Sequence, residues 1–379
     1  MLSFQIIHKD GLARCGIITT AHGNLKTPAF IPVATRAAIK GLSAQQLKEI
    51  GYEATLANTY HLYLKPGDEI ISKLGGLNSF MAWDGTTFTD SGGFQVFSLN
   101  GRLSKTDDEG VDFKSYIDNS SHRFTPEKSM QIQQNIGADI IFTFDECVHF
   151  NDSLERTKEA MGRTHQWTLR CLKEHQKSNS NQALFGIVQG GRFKDLREES
   201  AKFIASLPFP GYGIGGIFGD PTKEIHGIVK HTMTFLPEDK PKHMLGIGSV
   251  EDIFDYVECG ADTFDCVLPT RLARLGYFFV RPESGGNVDN KFRVRIGNSQ
   301  FKEDNSSLDP NCSCFVCKNY SKGYIHHLYK VKELLFYSLM TYHNLYFYCK
   351  LMEDIRSSIS EETFKILKQK WLEKQEASE

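Results

Sequence analysis

Two segments of the chain each place an aspartate at the end of a short apolar run. Asp90 follows the run that starts at Thr86, and Asp265 interrupts the run that starts at Thr263. A carboxylate is costly to bury unless it is hydrogen-bonded or has a chemical task. Two carboxylates on separate strand ends suit nucleophilic or acid–base chemistry. We therefore predict that Asp90 and Asp265 are catalytic.

The segment after Asp90 is built for close contact with a ligand. It reads Ser91-Gly92-Gly93-Phe94. Glycines let the backbone approach a ligand and leave amide groups facing it, and Phe94 offers an apolar face to a planar group. A plain tight turn has the same composition, so this segment predicts a site only together with other strand ends.

Three further polar groups suit a purine-like heterocycle. Asp145, in Phe144-Asp145-Glu146-Cys147, can accept two hydrogen bonds from an amidine-like edge such as that of guanine. Gln189 and the Gly216 amide supply complementary partners. The paired acids Asp145 and Glu146 also suit a metal or an acid–base pair, but the sequence around them has no His-x-His or facial triad.

Three thiols within six residues predict a zinc site. Cys312, Cys314 and Cys317 occupy a polar turn, and zinc takes four sulfur or nitrogen ligands in a tetrahedron. His326, His327 and His343 are candidates for the fourth ligand. Adjacent histidines on a helix point about 100° apart, so His326 and His327 cannot both face the ion. Four protein ligands would make the site structural.

Eight short apolar runs, most of which end in Gly, Asp or Pro, read as strands covered on both faces. They are residues 28–34, 54–59, 86–90, 138–145, 183–190, 211–216, 243–248 and 263–269. Helical patterns lie between several of them, at 43–50, 126–136, 152–175, 195–206 and 250–259. This alternation predicts an α/β fold, a (β/α)8 barrel of the TIM type, whose strand ends converge on one face. A doubly wound open sheet is the alternative, but no glycine-rich dinucleotide fingerprint opens the chain.

The residues after 280 do not continue this alternation of strands and helices. We expect residues 1–280 and the C-terminal helices to form the catalytic barrel. Residues 281–352 would be an insertion that carries the zinc-binding subdomain, with 323–352 helical, and 353–379 would hold a packing helix with Phe364, Leu367 and Trp371 at helical spacing.

Charge and cysteine usage narrow the class of protein. The net charge is −2, yet residues 264–332 hold 11 Lys or Arg against 6 Asp or Glu. Such a basic stretch suits a nucleic acid or a phosphate-bearing substrate, and Arg271 and Arg274 lie on one face of a helical turn. The other six cysteines are scattered, which suits reduced thiols. With no targeting segment or membrane span in the sequence, we expect a cytoplasmic protein.

Six ordered motifs together resemble one family over nearly the whole chain. They are Asn58-Thr59-Tyr60-His61-Leu62, Asp90-Ser91-Gly92-Gly93, Phe144-Asp145-Glu146-Cys147, Gly215-Gly216, the segment from Phe264 to Arg271, and Cys312-x-Cys314-x-x-Cys317 with Tyr324-Ile325-His326-His327. The chain resembles the bacterial-type queuine tRNA-ribosyltransferases, also called tRNA-guanine transglycosylases.

The resemblance implies a zinc-containing barrel enzyme that exchanges guanine at the tRNA wobble position for a 7-deazaguanine. Asp265 would attack the ribose anomeric carbon and form a covalent intermediate. Asp90 would act as proton donor and acceptor for the leaving and incoming bases. The resemblance assigns base binding to a set of substrate-binding residues: Ser91, Gly92, Gly93, Phe94, Asp145, Gln189, Gly216, Ile217 (through its carbonyl) and Met244, with Phe94 and Met244 sandwiching the ring.

The same resemblance assigns the remaining sites. The zinc ligands would be Cys312, Cys314, Cys317 and His343, with one structural ion per subunit of a homodimer and no redox or nucleotide cofactor. RNA would contact two segments, Gly246, Ile247, Gly248, Ser249, Val250, Glu251 and Asp252 in one and Thr270, Arg271, Leu272, Ala273 and Arg274 in the other.

Two departures from the family pattern bear on the incoming base. Phe94 stands where tyrosine is usual, and the loop from Gly215 to Asp220 lacks the customary Leu-Ala-Val-Gly-Glu. We favour 7-aminomethyl-7-deazaguanine, with queuine as the alternative. A non-catalytic tRNA-binding subunit is disfavoured because Asp90 and Asp265 are both kept, and a metal-dependent barrel hydrolase because the strand ends lack histidine ligands.

Overall fold

Eight parallel strands close into a barrel at the centre of the protein. The computed structural model describes residues 2–98, 104–178, 180–216 and 223–373. In chain order, the first to eighth barrel strands are Ala29–Ala34, Ala54–Ala57, Thr86–Thr89, Ile140–Phe142, Ala183–Val188, Tyr212–Ile214, Lys242–Met244 and Thr263–Cys266. The eighth strand pairs with the first, which closes the sheet. The predicted TIM-type barrel is confirmed. Seven of the eight predicted runs contain one of its strands, and the run 243–248 overlaps the seventh strand, which begins one residue earlier at Lys242.

The barrel strands are buried almost throughout because both of their faces are covered. Side chains such as Ile31, Phe88 and Phe142 fill the interior, while alternate residues such as Phe30 and Phe264 pack outward against helices. This two-sided burial removes the polar alternation of a half-exposed sheet. The polar residues that end the runs therefore mark the point where the strands leave the core.

Helices follow most of the barrel strands. They are Ala44–Ile50, Thr59–Leu64, Asp68–Lys73, Gly76–Met81, Gly93–Ser98, Pro126–Ile136, Leu154–Lys177, Lys194–Ala205, Lys223–Met233, Val250–Glu258 and Leu268–Arg274. Four of the longer helices begin at a Ser or Thr that accepts a hydrogen bond from the first turn, at Ser43, Thr125, Ser153 and Ser249. The five helical patterns in the sequence correspond to helices in the structure.

Two antiparallel sheets extend the barrel, and the sequence patterns did not predict either. Strands Ser3–Asp10, Ala13–Thr20 and Gly23–Thr27 form one sheet, whose Ile18 and Leu25 pack into the apolar cluster of the barrel interior. Strands Lys105–Thr106, Val111–Lys114 and Ser121–Phe124 form the other, inserted after the third barrel strand. The first sheet has a largely exposed outer strand, and the strands of the second sheet are only two to four residues long, so neither sheet gives the apolar runs that identify the barrel strands.

The C-terminal segment wraps back over the barrel. Its strands are Tyr277–Phe279 and Arg293–Arg295, its 3-10 turns Pro282–Ser284 and Ser299–Phe301, and its helices Phe315–Asn319, Lys322–Val331, Leu334–Ser360 and Phe364–Leu372. The predicted helical stretch 323–352 is two helices, separated where Lys332 adopts a left-handed conformation with φ 59°. The second of them continues past residue 352.

The long helix Leu334–Ser360 is fixed to the barrel by polar contacts at three levels. Tyr348 donates to the carbonyl of Gly248 at 2.6 Å, Asn344 to that of Pro269 at 3.1 Å and Arg356 to that of Pro28 at 2.7 Å. The last helix adds Trp371, whose ring packs against Phe254. In the part of the chain that the structure describes, no helix is both long and apolar enough to cross a membrane.

Candidate active site

The structure brings Asp90 to the carboxyl end of the third barrel strand, where a cage of donors surrounds it. Its Oδ1 accepts from the amides of Thr59 at 2.9 Å and Gly92 at 3.2 Å, and its Oδ2 accepts from Asn58. Burial raises the pKa of Asp90 from 3.8 to about 7; the Thr59 amide opposes that rise and the charge of Asp265 adds to it. Asp90 can therefore hold or release a proton near neutral pH.

Asp265 lies in the eighth barrel strand, and its side chain is 14% exposed. Within the described residues, the hydrogen bonds to its carboxylate all end on one oxygen: Oδ1 accepts from the Gly246 amide at 3.0 Å and lies 3.1 Å from Nε2 of His243. Its Oδ2 is left for a reacting group. The two predicted catalytic acids thus share one end of the barrel but have different surroundings.

His243 contacts the Asp265 carboxylate, and the sequence reasoning missed it. It is fully buried, and its ring lies between those of Phe88 and Phe142 inside the barrel. In the sequence, His243 is a titratable residue at the start of an apolar run. A histidine that only packs in the core would give the same pattern. Only the strand register, which pairs His243 with Thr263, places it beside Asp265.

Asp145 and Gln189 meet in a buried polar pocket beside the two acids. Asp145 accepts from Ser91 at 2.9 Å and from the Gln189 amide at 2.6 Å. Burial raises the pKa of Asp145, although those two hydrogen bonds lower it. The Gln189 Oε1 atom is buried without a partner among the described residues. An orphaned buried acceptor is costly, so its presence indicates a place for a polar ligand.

Glu146 does not belong to this pocket. Arg156 and Arg163 both bind its carboxylate from the helix Leu154–Lys177. A buried carboxylate paired with two guanidinium groups serves the fold, so the sequence alternative of a metal or acid–base pair formed by Asp145 and Glu146 is wrong.

Glycines bring the backbone against these polar groups. A Cβ on Gly93 would lie 2.5 Å from the Asp145 carbonyl oxygen and 2.9 Å from its Oδ1. Gly216 has φ 67°, and a Cβ there would lie 2.3 Å from Gln189 Oε1. Both positions therefore need glycine for the backbone to come this close.

Arg197 holds the loop that carries Gly216, and the sequence reasoning missed it as well. Its buried guanidinium donates to the carbonyls of Gly191 at 2.8 Å, Gly215 at 2.7 Å and Gly216 at 3.0 Å. Burial lowers the pKa of Arg197 to about 10. Because its donors form a rigid planar fork, Arg197 fixes the loops after the fifth and sixth barrel strands relative to each other.

The structure separates the two residues predicted to sandwich a ring. Phe94 is 39% exposed at the mouth of the barrel, next to the Gly92-Gly93 turn. Met244 is fully buried and points outward into the layer between barrel and helices. The expectation that Met244 contacts the ring is wrong, because successive strand residues face opposite sides. The next residue, Leu245, packs on the interior side. Ile217 lies outside the described residues.

The two segments predicted to bind RNA both contribute residues to the lining of one cavity. Ser249 caps the helix Val250–Glu258, and the residues 246–249 line a cavity of about 800 Å³ together with Lys291 and Arg293. Within the segments, Arg271 is exposed and Arg274 is half-buried. The remaining side chains divide by burial: Gly246 is exposed, Ser249 and Glu251 are half-buried, and Ile247, Gly248, Val250, Asp252, Thr270, Leu272 and Ala273 are buried.

The predicted cysteine cluster is assembled, and the structure selects its fourth member. Ligand atoms of Cys312, Cys314, Cys317 and His343 all lie within 4.8 Å of one another, a group that could hold a metal ion. His343 Nε2 lies 2.8 Å from the Phe279 carbonyl, to which it donates, and this leaves Nδ1 free to face the thiols. His326 instead faces the carbonyl of Ile296 at 2.8 Å.

Comparison with known proteins identifies the family. A family model described as queuine tRNA-ribosyltransferase matches residues 9–377. A putative queuine tRNA-ribosyltransferase of Archaeoglobus fulgidus is 47% identical over 402 residues, covering 98% of this chain and 99% of its own length. Queuine tRNA-ribosyltransferases of Fusobacterium nucleatum and Caldanaerobacter subterraneus are 47% and 46% identical, covering 99% and 98% of this chain and 98% and 97% of their own. The chain therefore belongs to the queuine tRNA-ribosyltransferase family and is an enzyme of the tRNA-guanine transglycosylase type.

Proposed function

We propose that the enzyme exchanges guanine at the wobble position of tRNA for 7-aminomethyl-7-deazaguanine by double displacement. The observation that carries this proposal is the difference between its two acids. Asp265 has one oxygen tied by donors and one left to react, whereas burial raises the pKa of Asp90 to about 7. A nucleophile and a proton carrier are what the two halves of such an exchange need.

In the first half, an Asp265 lone pair forms a bond to C1′ of the ribose. The C1′–N9 electron pair leaves with guanine, which takes a proton from Asp90. In the second half, the incoming base gives its N9 proton to Asp90 and attacks C1′, and the C1′–O bond pair returns to Asp265. The two inversions at C1′ give net retention, and Asp90 ends in the state in which it began.

The buried polar pocket supports recognition of a guanine-like base. Asp145 can accept from the N1–H and 2-amino groups. The Gly216 amide and the second Nε2 hydrogen of Gln189, whose first hydrogen is donated to Asp145, can donate to the 6-oxo group. Phe94 covers one face of the ring. We assign the opposite face to Leu245 in place of Met244, because Leu245 packs on the interior side of the seventh strand.

We propose 7-aminomethyl-7-deazaguanine as the incoming base, with queuine as the alternative. The family resemblance places the Ile217 carbonyl and the loop up to Asp220 near the 7-substituent, and these residues lie outside the described ranges. Competition between the two bases for incorporation into tRNA tests the choice. Preferred incorporation of 7-aminomethyl-7-deazaguanine supports it, and preferred incorporation of queuine contradicts it.

We propose that the tRNA anticodon lies across the face bordered by residues 246–252 and 270–274. The exposed guanidinium of Arg271 suits a phosphate contact. The 800 Å³ cavity adds Lys291 and Arg293 on one side, and its lining also includes the acids Glu251, Asp252 and Asp255. The buried side chains of these segments would support the backbone rather than contact RNA. A tRNA substrate also favours a cytoplasmic location.

We propose that the cysteine cluster holds one structural Zn²⁺. With Zn–S near 2.3 Å and Zn–N near 2.05 Å, a tetrahedral site separates sulfur from nitrogen by about 3.6 Å. The Sγ atoms of Cys312, Cys314 and Cys317 lie 3.8, 3.6 and 3.3 Å from Nδ1 of His343. When bound, the ion would cross-link the turn at residues 312–317 to the long helix, without an open position for substrate.

We propose that two copies of the chain form a homodimer. Val331, Leu334 and Leu335 are 51%, 81% and 42% exposed where two C-terminal helices join. A cluster of exposed apolar side chains of this kind is typical of an interface. A molar mass of one chain, measured by light scattering at micromolar concentration, would contradict the homodimer.

Exchange of labelled guanine into a tRNA transcript with a wobble guanine tests the proposed chemistry. Asp265→Asn is expected to abolish exchange and the denaturation-resistant RNA adduct, because an amide oxygen is a poor nucleophile. Asp84→Asn is the matched control, since that side chain is 76% exposed at the protein surface. Normal exchange by Asp265→Asn would refute the nucleophile assignment, and absence of exchange by the wild type would favour a non-catalytic tRNA-binding subunit.

A further inference from the structure

A buried histidine shares the nucleophile's environment. The His243 side chain is fully buried inside the barrel, where the Phe88 ring stacks on it with centroids 5.5 Å apart and planes 27° apart. The Phe142 ring lies 5.2 Å away on a tilted approach. Two aromatic neighbours and the close packing of the barrel interior hold the imidazole in a single orientation.

Hydrogen-bond chemistry assigns the protons of this imidazole. Nε2 lies 3.1 Å from Asp265 Oδ1, and Nδ1 lies 2.8 Å from the Thr263 hydroxyl. An ionised carboxylate only accepts hydrogen bonds, so Nε2 must carry the proton in that contact. In a neutral imidazole, Nδ1 then accepts, and the Thr263 hydroxyl donates to it. The Asp265 carboxylate therefore selects the tautomer, and the Thr263 hydroxyl, which can donate or accept, stabilises that tautomer by donating to Nδ1.

The donors act on one oxygen of the nucleophile. The Gly246 amide donates to the same Oδ1 at 3.0 Å. The carboxylate plane is thus fixed by two donors from the seventh strand and the turn after it, with Oδ2 directed away from them. We propose that His243 is a positioning residue that ties Oδ1 of Asp265, leaves Oδ2 to attack C1′ and favours breakdown of the covalent intermediate; this proposal rests on the proposed function.

The effect on the intermediate follows from the charge on Oδ1. When Oδ2 bonds to C1′, Oδ1 becomes the carbonyl oxygen of a neutral ester. When the incoming base attacks C1′, the C1′–O bond pair returns to the carboxylate and Oδ1 regains negative charge. Hydrogen bonds to charged acceptors are roughly twice as strong as those to neutral ones. The His243 donor therefore stabilises the carboxylate more than the ester.

His243→Phe tests this role because it keeps a planar ring and removes the donor. The enzyme is incubated with a labelled tRNA transcript, the adduct is measured on a denaturing gel, and its decay is followed after addition of guanine. We expect the adduct to decay about five- to tenfold more slowly than in the wild type, a factor that corresponds to the difference between a charged and a neutral acceptor. Adduct levels should rise accordingly.

His243→Gln is the rescue variant, since its side-chain amide can donate to Oδ1. It should restore decay to within about twofold of the wild type, by the same charged-acceptor argument. A purely structural histidine would affect adduct formation and decay alike and would not distinguish Phe from Gln. Wild-type decay and adduct level in His243→Phe would overturn the proposal.

Thr263→Val keeps the proposal testable if His243→Phe does not fold. It removes the hydroxyl that donates to Nδ1 and orients the imidazole, and it should slow adduct decay in the same direction. Thr55→Val is the matched control, because the Thr55 hydroxyl donates to the Pro32 carbonyl at 3.0 Å in another part of the barrel. Equal decay in the two valine variants would overturn the role of His243. Failure of the wild type to form any adduct would instead refute the proposed function.

Discussion

Replacing Asp90 with asparagine should change stability in opposite directions at low and high pH. Burial raises the pKa of Asp90 from 3.8 to about 7 in the folded protein, whereas the unfolded chain keeps the ordinary value. Between these pH values the folded protein retains a proton that the unfolded chain has lost. Stability therefore falls as pH rises through this window, by about 4 kcal/mol at most for the full difference.

Asparagine is neutral at every pH and removes this loss. The side-chain nitrogen that would replace Oδ2 cannot accept the hydrogen bond that Asn58 donates to Asp90. Loss of a buried hydrogen bond costs about 1–3 kcal/mol. We therefore expect Asp90→Asn to be less stable than the wild type below pH 4 and more stable above pH 7. From pH 5.5 to pH 8.0 the difference in unfolding free energy should shift by about 2 kcal/mol in favour of the variant.

Urea unfolding at pH 5.5 and pH 8.0 measures this shift, provided that the slope with urea is equal in both proteins. Asp84→Asn is the control. Its partner Lys48 lowers the pKa of that exposed carboxylate, so it is ionised throughout the range and its effect should not vary with pH. If the difference between Asp90→Asn and the wild type is the same at both pH values, the pKa of Asp90 is not raised and the reasoning fails.

Two further predictions concern the metal cluster and the base pocket. Chelation of a verified zinc-loaded sample should lower the melting temperature by several degrees, because the ion cross-links residues 312–317 to the long helix; an unchanged value would contradict a structural site. Gly93→Ala should reduce guanine exchange by about tenfold or more, because its Cβ would lie 2.5 Å from the Asp145 carbonyl oxygen and displacement of positioning groups is costly. Gly162→Ala, where a Cβ meets open space, should leave exchange unchanged, and equal exchange by the two variants would contradict the close packing at Gly93.

The barrel was predictable because its strands are buried on both faces. A run such as 183–190 has no polar alternation, so its apolar content alone identifies a strand, and the order of runs and helices specifies the barrel. The sheet Ser3–Asp10, Ala13–Thr20 and Gly23–Thr27 was not predictable on that basis, because its outer strand is largely exposed. Its packing against the barrel interior depends on contacts between residues distant in sequence.

The site was predictable where residue type restricts chemistry, and not where side-chain direction decides. Cys312, Cys314 and Cys317 could be grouped by spacing, but choosing His343 over His326 required the fold, because each histidine has its own carbonyl partner. Met244 and Leu245 are adjacent apolar residues, and from the sequence either of them could contact a bound ring. A shift of one residue along a strand reverses the face, and only the structure fixes that face.

The roles of the two acids are a further case in which sequence gives the residues but not the chemistry. Asp90 and Asp265 both follow apolar residues at barrel strand ends, and either could serve as nucleophile on that pattern alone. In the structure, burial raises the pKa of Asp90 to about 7, which suits the proposed role of proton carrier. Asp265 meets the His243 ring and the Gly246 amide through one oxygen. Because donors on Oδ1 favour the carboxylate over the ester, the proposed nucleophile would also be a good leaving group from C1′ in the second half of the exchange.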